Sequence, residues 1–124
     1  MFTFRKLGLA AAVALFAAPF AATAADAPPP AFNQCKACHS IDAGKNGVGP
    51  SLSGAYGRKV GLAPNYKYSP AHLASGMTID DAMLTKYLAN PKETIPGNKM
   101  GAAFGGLKNP ADVAAVIAYL KTVK

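Results

Sequence analysis

The sequence predicts a small all-α domain of three to five helices joined by long loops. Three observations lead there. Apolar residues recur at spacings of three and four around residues 83–88 and 113–120, the period of a helix with one buried face. No stretch alternates apolar and polar residues as a half-buried strand would. The segments between are crowded with glycine and proline and carry little periodic apolar surface, so something besides side chains should fill the middle of so small a fold.

The first residues read as an export address. Arg5 and Lys6 form a positive start, residues 7–18 are apolar, Pro19 breaks the run, and Ala22-Thr23-Ala24 is a small-x-small cleavage pattern. An uncleaved anchor is the rival, since the apolar stretch 7–25 is just long enough to span a bilayer. Pro19 and the alanines before Asp26 favour cleavage after Ala24 or Ala25. The division is therefore a signal peptide at 1–24 and one domain at 25–124, in the periplasm, with no stable membrane insertion. Losing Arg5 and Lys6 from thirteen basic residues leaves eleven against six acidic ones, a formal +5. Such a charge is compatible with nucleic acid, an anionic membrane or an acidic protein partner. Nucleic acid is excluded by export and by the lack of any nucleic-acid motif.

Along the mature chain, Pro28, Pro29 and Pro30 make an extended lead-in, and Pro30 can occupy the first position of a short helix running to about His39. Residues 42–52 form a glycine-rich loop and residues 54–67 stay irregular. Ser69 caps and Pro70 starts a short helix that should stop at Gly76. Thr78 with Asp81 resembles a capping box for the next helix, whose apolar face is Met83, Leu84, Tyr87 and Leu88 and which Pro91 ends. Residues 90–109 show no periodicity, and a long ordered loop in a small domain is usually functional. Asn109 and Pro110 open the last helix, with Val113, Val116, Ile117 and Leu120 on one face.

Cys35-Lys36-Ala37-Cys38-His39 is the pattern C-x-x-C-H. Cysteines three apart on a helix share a face, a separation suited to thioether bonds with the two vinyl groups on one haem edge, and His39 can reach the iron from the same side. A zinc site wants four nitrogen or sulfur ligands, and only His72 remains. A thioredoxin-like pair wants a βαβ context, and a structural disulfide needs no histidine. One covalently attached haem c is the reading that uses all three residues. For the second iron ligand, Met77, Met83, Met100 and His72 are open. Met83 shares a helix face with Tyr87 and reads as packing, and His72 reads as a surface or hydrogen-bonded side chain. Met100 is favoured because an irregular backbone can bring its side chain to a metal.

Taken in order, the attachment motif, Gly49-Pro50-Ser51-Leu52, Tyr56-Gly57-Arg58-Lys59, Asn65-Tyr66-Lys67-Tyr68-Ser69, Tyr87-Leu88-Ala89-Asn90-Pro91, Ile95-Pro96-Gly97-Asn98-Lys99-Met100 and Ala118-Tyr119-Leu120-Lys121 are recognisable. From Phe32 to Lys124 the chain resembles the class I cytochromes c, the small soluble electron carriers of bacteria and mitochondria. The resemblance implies the cytochrome c fold wrapped around one haem. It implies Met100 as the axial methionine, with Pro50 accepting the N–H of the ligand His39. Arg58 and Tyr68 match groups near a buried propionate, Tyr87 the tyrosine beside the methionine sulfur, and Tyr119 and Leu120 the face that packs on the N-terminal helix. The chain departs from the family in three places. Ile79 stands where a tryptophan is usual, Phe32 lies one place after the usual aromatic position at Ala31, and Gly101 and Ala102 are extra residues before Phe104.

With His39 and Met100 both on the iron no coordination position is free, so the implied function is a monomeric one-electron Fe(II)/Fe(III) carrier. Lys36, Lys45, Lys92, Lys99 and Lys108 are candidates for a positive rim that steers acidic redox partners. The alternatives are a haem enzyme or sensor with a labile sixth ligand, and a membrane-tethered electron-transfer subunit.

Overall fold

A polar cap followed at once by proline opens three of the helices in this fold. The computed structural model of the chain describes residues 27–124, so the expected signal peptide and its cleavage site lie outside the described residues. In chain order a 3-10 turn at Pro30–Phe32 leads into α1 (Asn33–Lys36), followed by α2 (Pro70–Ala74), α3 (Asp81–Ala89), α4 (Pro91–Thr94), α5 (Lys99–Ala103) and α6 (Pro110–Thr122). The class is all-α, with an isolated antiparallel bridge between Lys59 and Thr78 as the single extended pairing recorded among the described residues.

Ser69 accepts the His72 amide, Asn90 the Glu93 amide and Asn109 the Ala111 amide, and in each case proline takes the first helical position, where an N–H would have no partner anyway. The same chemistry without proline starts α5, where Asn98 accepts the Gly101 amide at 2.7 Å. Each such cap contributes about 1 kcal/mol. The stretch 90–109 thus holds two helices that apolar periodicity does not reveal, because each is too short to have a repeating face. Proline at 91 ends α3 and also begins α4.

The capping box expected at Thr78 is not formed. Helix α3 begins three residues later, with Asp80 accepting the Met83 amide at 2.8 Å. Thr78 belongs instead to the bridge with Lys59, flanked by Val60 N–H to Met77 O at 2.9 Å and Ile79 N–H to Arg58 O at 2.8 Å. That pairing holds the backbone extended, and the Asp81 side chain, free of any cap role, meets Tyr56 and Lys121.

The frame comes from α6, which packs against α3 and against the 3-10 turn. Val113, Val116, Ile117, Tyr119 and Leu120 of α6 are buried, as are Leu84, Tyr87 and Leu88 of α3. Phe32 is 1% exposed and meets the Tyr119 ring edge-on, with centroids 4.8 Å apart. The aromatic displaced by one position in sequence therefore still forms the contact between the two chain ends, supplied from a 3-10 turn. Gly106 lets the following loop cross the end of α3, where Leu107 N–H reaches Leu88 O at 2.7 Å; its φ is +103° and a Cβ there would collide with the Ala89 carbonyl oxygen.

Phe32→Ala should lower the unfolding free energy of the mature protein by about 3–5 kcal/mol, the usual cost of emptying an aromatic site in a core. Equilibrium urea unfolding checks this; a loss under about 1 kcal/mol would mean the site collapses without strain.

Candidate functional site

Helix α1 places Cys35 and Cys38 one turn apart, and the turn continues past its end through Cys38 N–H and His39 N–H, both to Cys35 O, at 3.1 and 2.9 Å. Both thiols are free. Burial pushes the Cys35 thiol up to about 11, and the neighbouring Cys38 adds to it. At neutral pH Cys35 is a thiol, the opposite of the lowered pKa that marks a reactive redox dithiol. Among the described residues no three of His, Cys, Asp and Glu gather to hold a metal ion.

The His39 ring is held from behind. Its Nδ1 lies 2.7 Å from the Pro50 carbonyl oxygen. A carbonyl can only accept, so Nδ1 carries the proton and Nε2 keeps its lone pair. Burial lowers the His39 pKa, partly offset by this bond, which keeps the ring neutral and able to ligate. The loop that supplies Pro50 is drawn in by Gly49 N–H to Cys38 O at 2.7 Å. It comes so close that a Cβ on Gly49 would overlap the His39 ring.

These groups line one cavity of about 290 Å³. Cys35, Cys38, His39, Pro50, Arg58, Tyr68, Tyr87 and Met100 all stand on its wall. All eight residues expected from the sequence are thus brought together. Met100 sits on α5, which Asn98 pins by donating from Nδ2 to Pro91 O and Ile95 O, both at 2.7 Å. The Tyr87 hydroxyl donates to the Met100 sulfur at 3.3 Å. Burial pushes the Tyr87 phenol well above its usual range, so its proton stays on.

The other candidate ligands are placed differently. Met83 lines the cavity half-buried on α3, while Met77 packs against the core and is not part of that lining. His72 lines it too, with both ring nitrogens engaged: Nδ1 with Ser69 Oγ at 3.1 Å and Nε2 with the Tyr87 hydroxyl at 2.9 Å. Ile79, at the usual tryptophan position, contributes an apolar wall. Gly101 and Ala102 are absorbed as part of α5, where a Cβ on Gly101 would press on Lys92, and Phe104 still reaches the cavity. Ser69 and Asn98 stand in the matched motifs, yet no role in supporting the site was expected of either. The signal available for both is a capping residue, buried, ahead of a short helix.

The residues fit a haem. The cavity wall is mostly apolar, as a macrocycle requires. Two thiols one turn apart line it, and a neutral imidazole and a thioether come from separate elements. Arg58 is the telling case: its Nε is buried with no hydrogen-bond partner, while Nη1 makes a long contact of 3.4 Å to Ser53 O. A half-buried guanidinium whose Nε–H is buried and unpaired calls for an acceptor, and an anion suits its charge. Tyr68 accepts the Ala63 amide at 2.9 Å, which leaves its own proton to donate. A carboxylate in the cavity is the kind of acceptor that each of them lacks.

Comparison with known proteins agrees with this chemistry. Residues 30–124 match the family model described as cytochrome c. The chain is 88% identical over 100 residues to cytochrome c2 iso-1 of Magnetospirillum fulvum, covering 81% of this chain and all of that protein. It is 62% identical to cytochrome c2 of Rhodoplanes tepidamans over 77% of this chain and 97% of the relative. Among solved structures, cytochrome cH from Methylobacterium extorquens superposes with a TM-score of 0.68 at 49% identity, over 74% of this chain and 91% of that one.

Gly49→Val should displace the His39 ring from the Pro50 carbonyl. By NMR, the strongly downfield His39 Nδ1–H resonance expected of the native protein should vanish. Gly105→Ala, at a site where a Cβ meets only open space, should keep it. A resonance that survives Gly49→Val would overturn the close-packing account.

Proposed function

The chain belongs to the cytochrome c family, and on that premise we propose that it is an exported one-electron carrier whose haem is attached through Cys35 and Cys38 and whose iron is held between His39 and Met100. It is an electron-transfer protein with one covalently bound haem c, not an enzyme. When bound, the haem supplies a single Fe(II)/Fe(III) couple.

The observation that carries the six-coordinate reading is the pair of ready donors lining one cavity. The His39 Nε2 lone pair is fixed by the Pro50 contact, and the Met100 sulfur is fixed by Tyr87. A neutral imidazole and a soft thioether together favour the reduced metal and raise the potential. The apolar wall works in the same direction, because burying net charge is costly. Arg58 and Tyr68 offset the propionate charge, Pro50 orients the ligand histidine, and α5 presents Met100 at a set depth.

Export is supported by the sequence at 1–24 and by the Magnetospirillum fulvum relative, whose full length corresponds to 100 residues of this chain. Among the described residues no helix is long and apolar enough to cross a membrane. Lys36, Lys45, Lys92, Lys99 and Lys108 are all exposed. Lys99 and Lys108 lean on the carbonyls of Lys67 and Gly105, at 3.1 and 2.9 Å. Neither contact neutralises the charge, so both stay available to steer an acidic partner toward the haem edge.

Met100→Ala should abolish the weak red absorption band of iron–methionine charge transfer in the oxidised protein. It should also open the iron to added imidazole and lower the reduction potential. An unchanged band would assign the sixth ligand elsewhere. Electron-transfer rates to an acidic redox protein should fall as ionic strength rises from 0.01 to 0.1 M, where the screening length shrinks from about 30 to about 10 Å. A flat salt profile in stopped-flow measurements would remove the lysine rim from the proposal.

A further inference from the structure

We propose that Ser69 and His72 form a directional hydrogen-bond relay that keeps the Tyr87 hydroxyl proton aimed at the Met100 sulfur, making both positioning residues for the redox centre. The inference rests on Met100 as an iron ligand.

The argument is a count of protons. Tyr87 is buried and its hydroxyl has three polar neighbours: His72 Nε2 at 2.9 Å, Met100 Sδ at 3.3 Å and Asn98 Oδ1 at 3.5 Å. The sulfur can only accept. So can Asn98 Oδ1, because the amide orientation is set by Nδ2 donating to Pro91 O and Ile95 O and by Oδ1 accepting the Gly101 amide. Only His72 is able to donate to the Tyr87 oxygen. Were Nε2 bare, three acceptors would compete for one phenol proton. The nitrogen is the nearest and the strongest base of the three, so the sulfur would have no donor.

Ser69 decides which tautomer is present. It is 3% exposed, and its Oγ accepts the His72 backbone N–H at 3.2 Å while lying 3.1 Å from His72 Nδ1. If Nδ1 carried the proton, Oγ would accept twice and the serine proton would be buried without a partner, a cost of a kcal/mol or more by the usual range of about 1–3. With the serine proton donated to Nδ1, every group is satisfied. Ser69 donates to His72 Nδ1, His72 Nε2–H donates to Tyr87, and Tyr87 donates to Met100. Burial lowers the His72 pKa and the Lys99 charge lowers it further, so the ring is neutral near pH 7 and its tautomer is the open variable. A hydrogen bond to the sulfur withdraws electron density that would otherwise stabilise Fe(III), so the relay raises the potential.

The test uses the haem-loaded protein. In the reduced state, nitrogen and carbon shifts of the His72 ring should report the Nε2–H tautomer; an Nδ1–H ring would overturn the relay. Ser69→Gly removes the hydroxyl but keeps a residue tolerated at a helix N-cap. It should convert His72 to Nδ1–H and shift the Fe(II)/Fe(III) equilibrium at least twofold toward Fe(III). That is about 18 mV or more, at 59 mV per tenfold for one electron, in the same direction as Tyr87→Phe. Ser69→Thr should restore the native value. In a His72→Phe background the phenol proton has no nitrogen to go to, so adding Ser69→Gly should leave the potential unchanged. An equal fall in that background, or no fall in the single variant, would show that Ser69 acts only as a cap. The red band of the native oxidised protein separates the two levels. If it is absent, Met100 ligation fails and the relay with it. If it is present while the tautomer or the double variant disagrees, only the relay fails.

Discussion

The hydrogen bond from the His39 ring to the Pro50 carbonyl is the constraint around which the loops of this protein are arranged. It requires the 46–52 loop to return to the end of α1, and that return is made by Gly49 and Gly47. One donates its amide to the Cys38 carbonyl, and the other donates to Gly49 itself. No side chain fits at Gly49 because the imidazole occupies the space. The bond selects one tautomer, so a single contact sets the backbone path, the residue type beside it and the chemical readiness of Nε2.

The Met100 part of the cavity is built by a different strategy. Met100 comes from a five-residue helix that would not persist alone. It is held by a buried asparagine that caps it and also bonds two carbonyls of the preceding segment. Tyr87, from the longer α3, reaches the sulfur, and His72 and Ser69 from α2 stand behind Tyr87. Side-chain hydrogen bonds from α2 through α3 thus lead to one sulfur on α5. The hydrophobic frame of α3, α6 and the 3-10 turn carries the stability that these small elements lack.

Much of this is legible in the chain. The haem motif, the last helix with its Asn109–Pro110 start, and the apolar face of α3 follow from local rules that need no tertiary information. The same local rule was readable at Asn90–Pro91, where a proline that stops one helix also starts the next. Thr78 and Asp81 met the spacing of a capping box, yet the backbone there is spent on pairing with Lys59 and the cap falls to Asp80. A bridge between residues nineteen apart leaves no mark in a local pattern. Phe32 shows the converse. Its position departs from the usual one, and the core accommodates it because an edge-on contact with Tyr119 tolerates a shift of the backbone into a 3-10 turn.

By itself the sequence determined the class and the cofactor chemistry, which rest on residue type, short-range spacing and an ordered series of motifs, and it named the groups expected to meet the cofactor. Tertiary structure alone decided where those groups point and what stands behind them. The orphaned N–H of Arg58, the closeness of Gly49 to an imidazole, and the chain from Ser69 through His72 to Tyr87 are made by contacts between distant segments. Hydrogen bonds depend on distances of tenths of an ångström and on which partner holds the proton. Those quantities exist only once the chain has closed on itself.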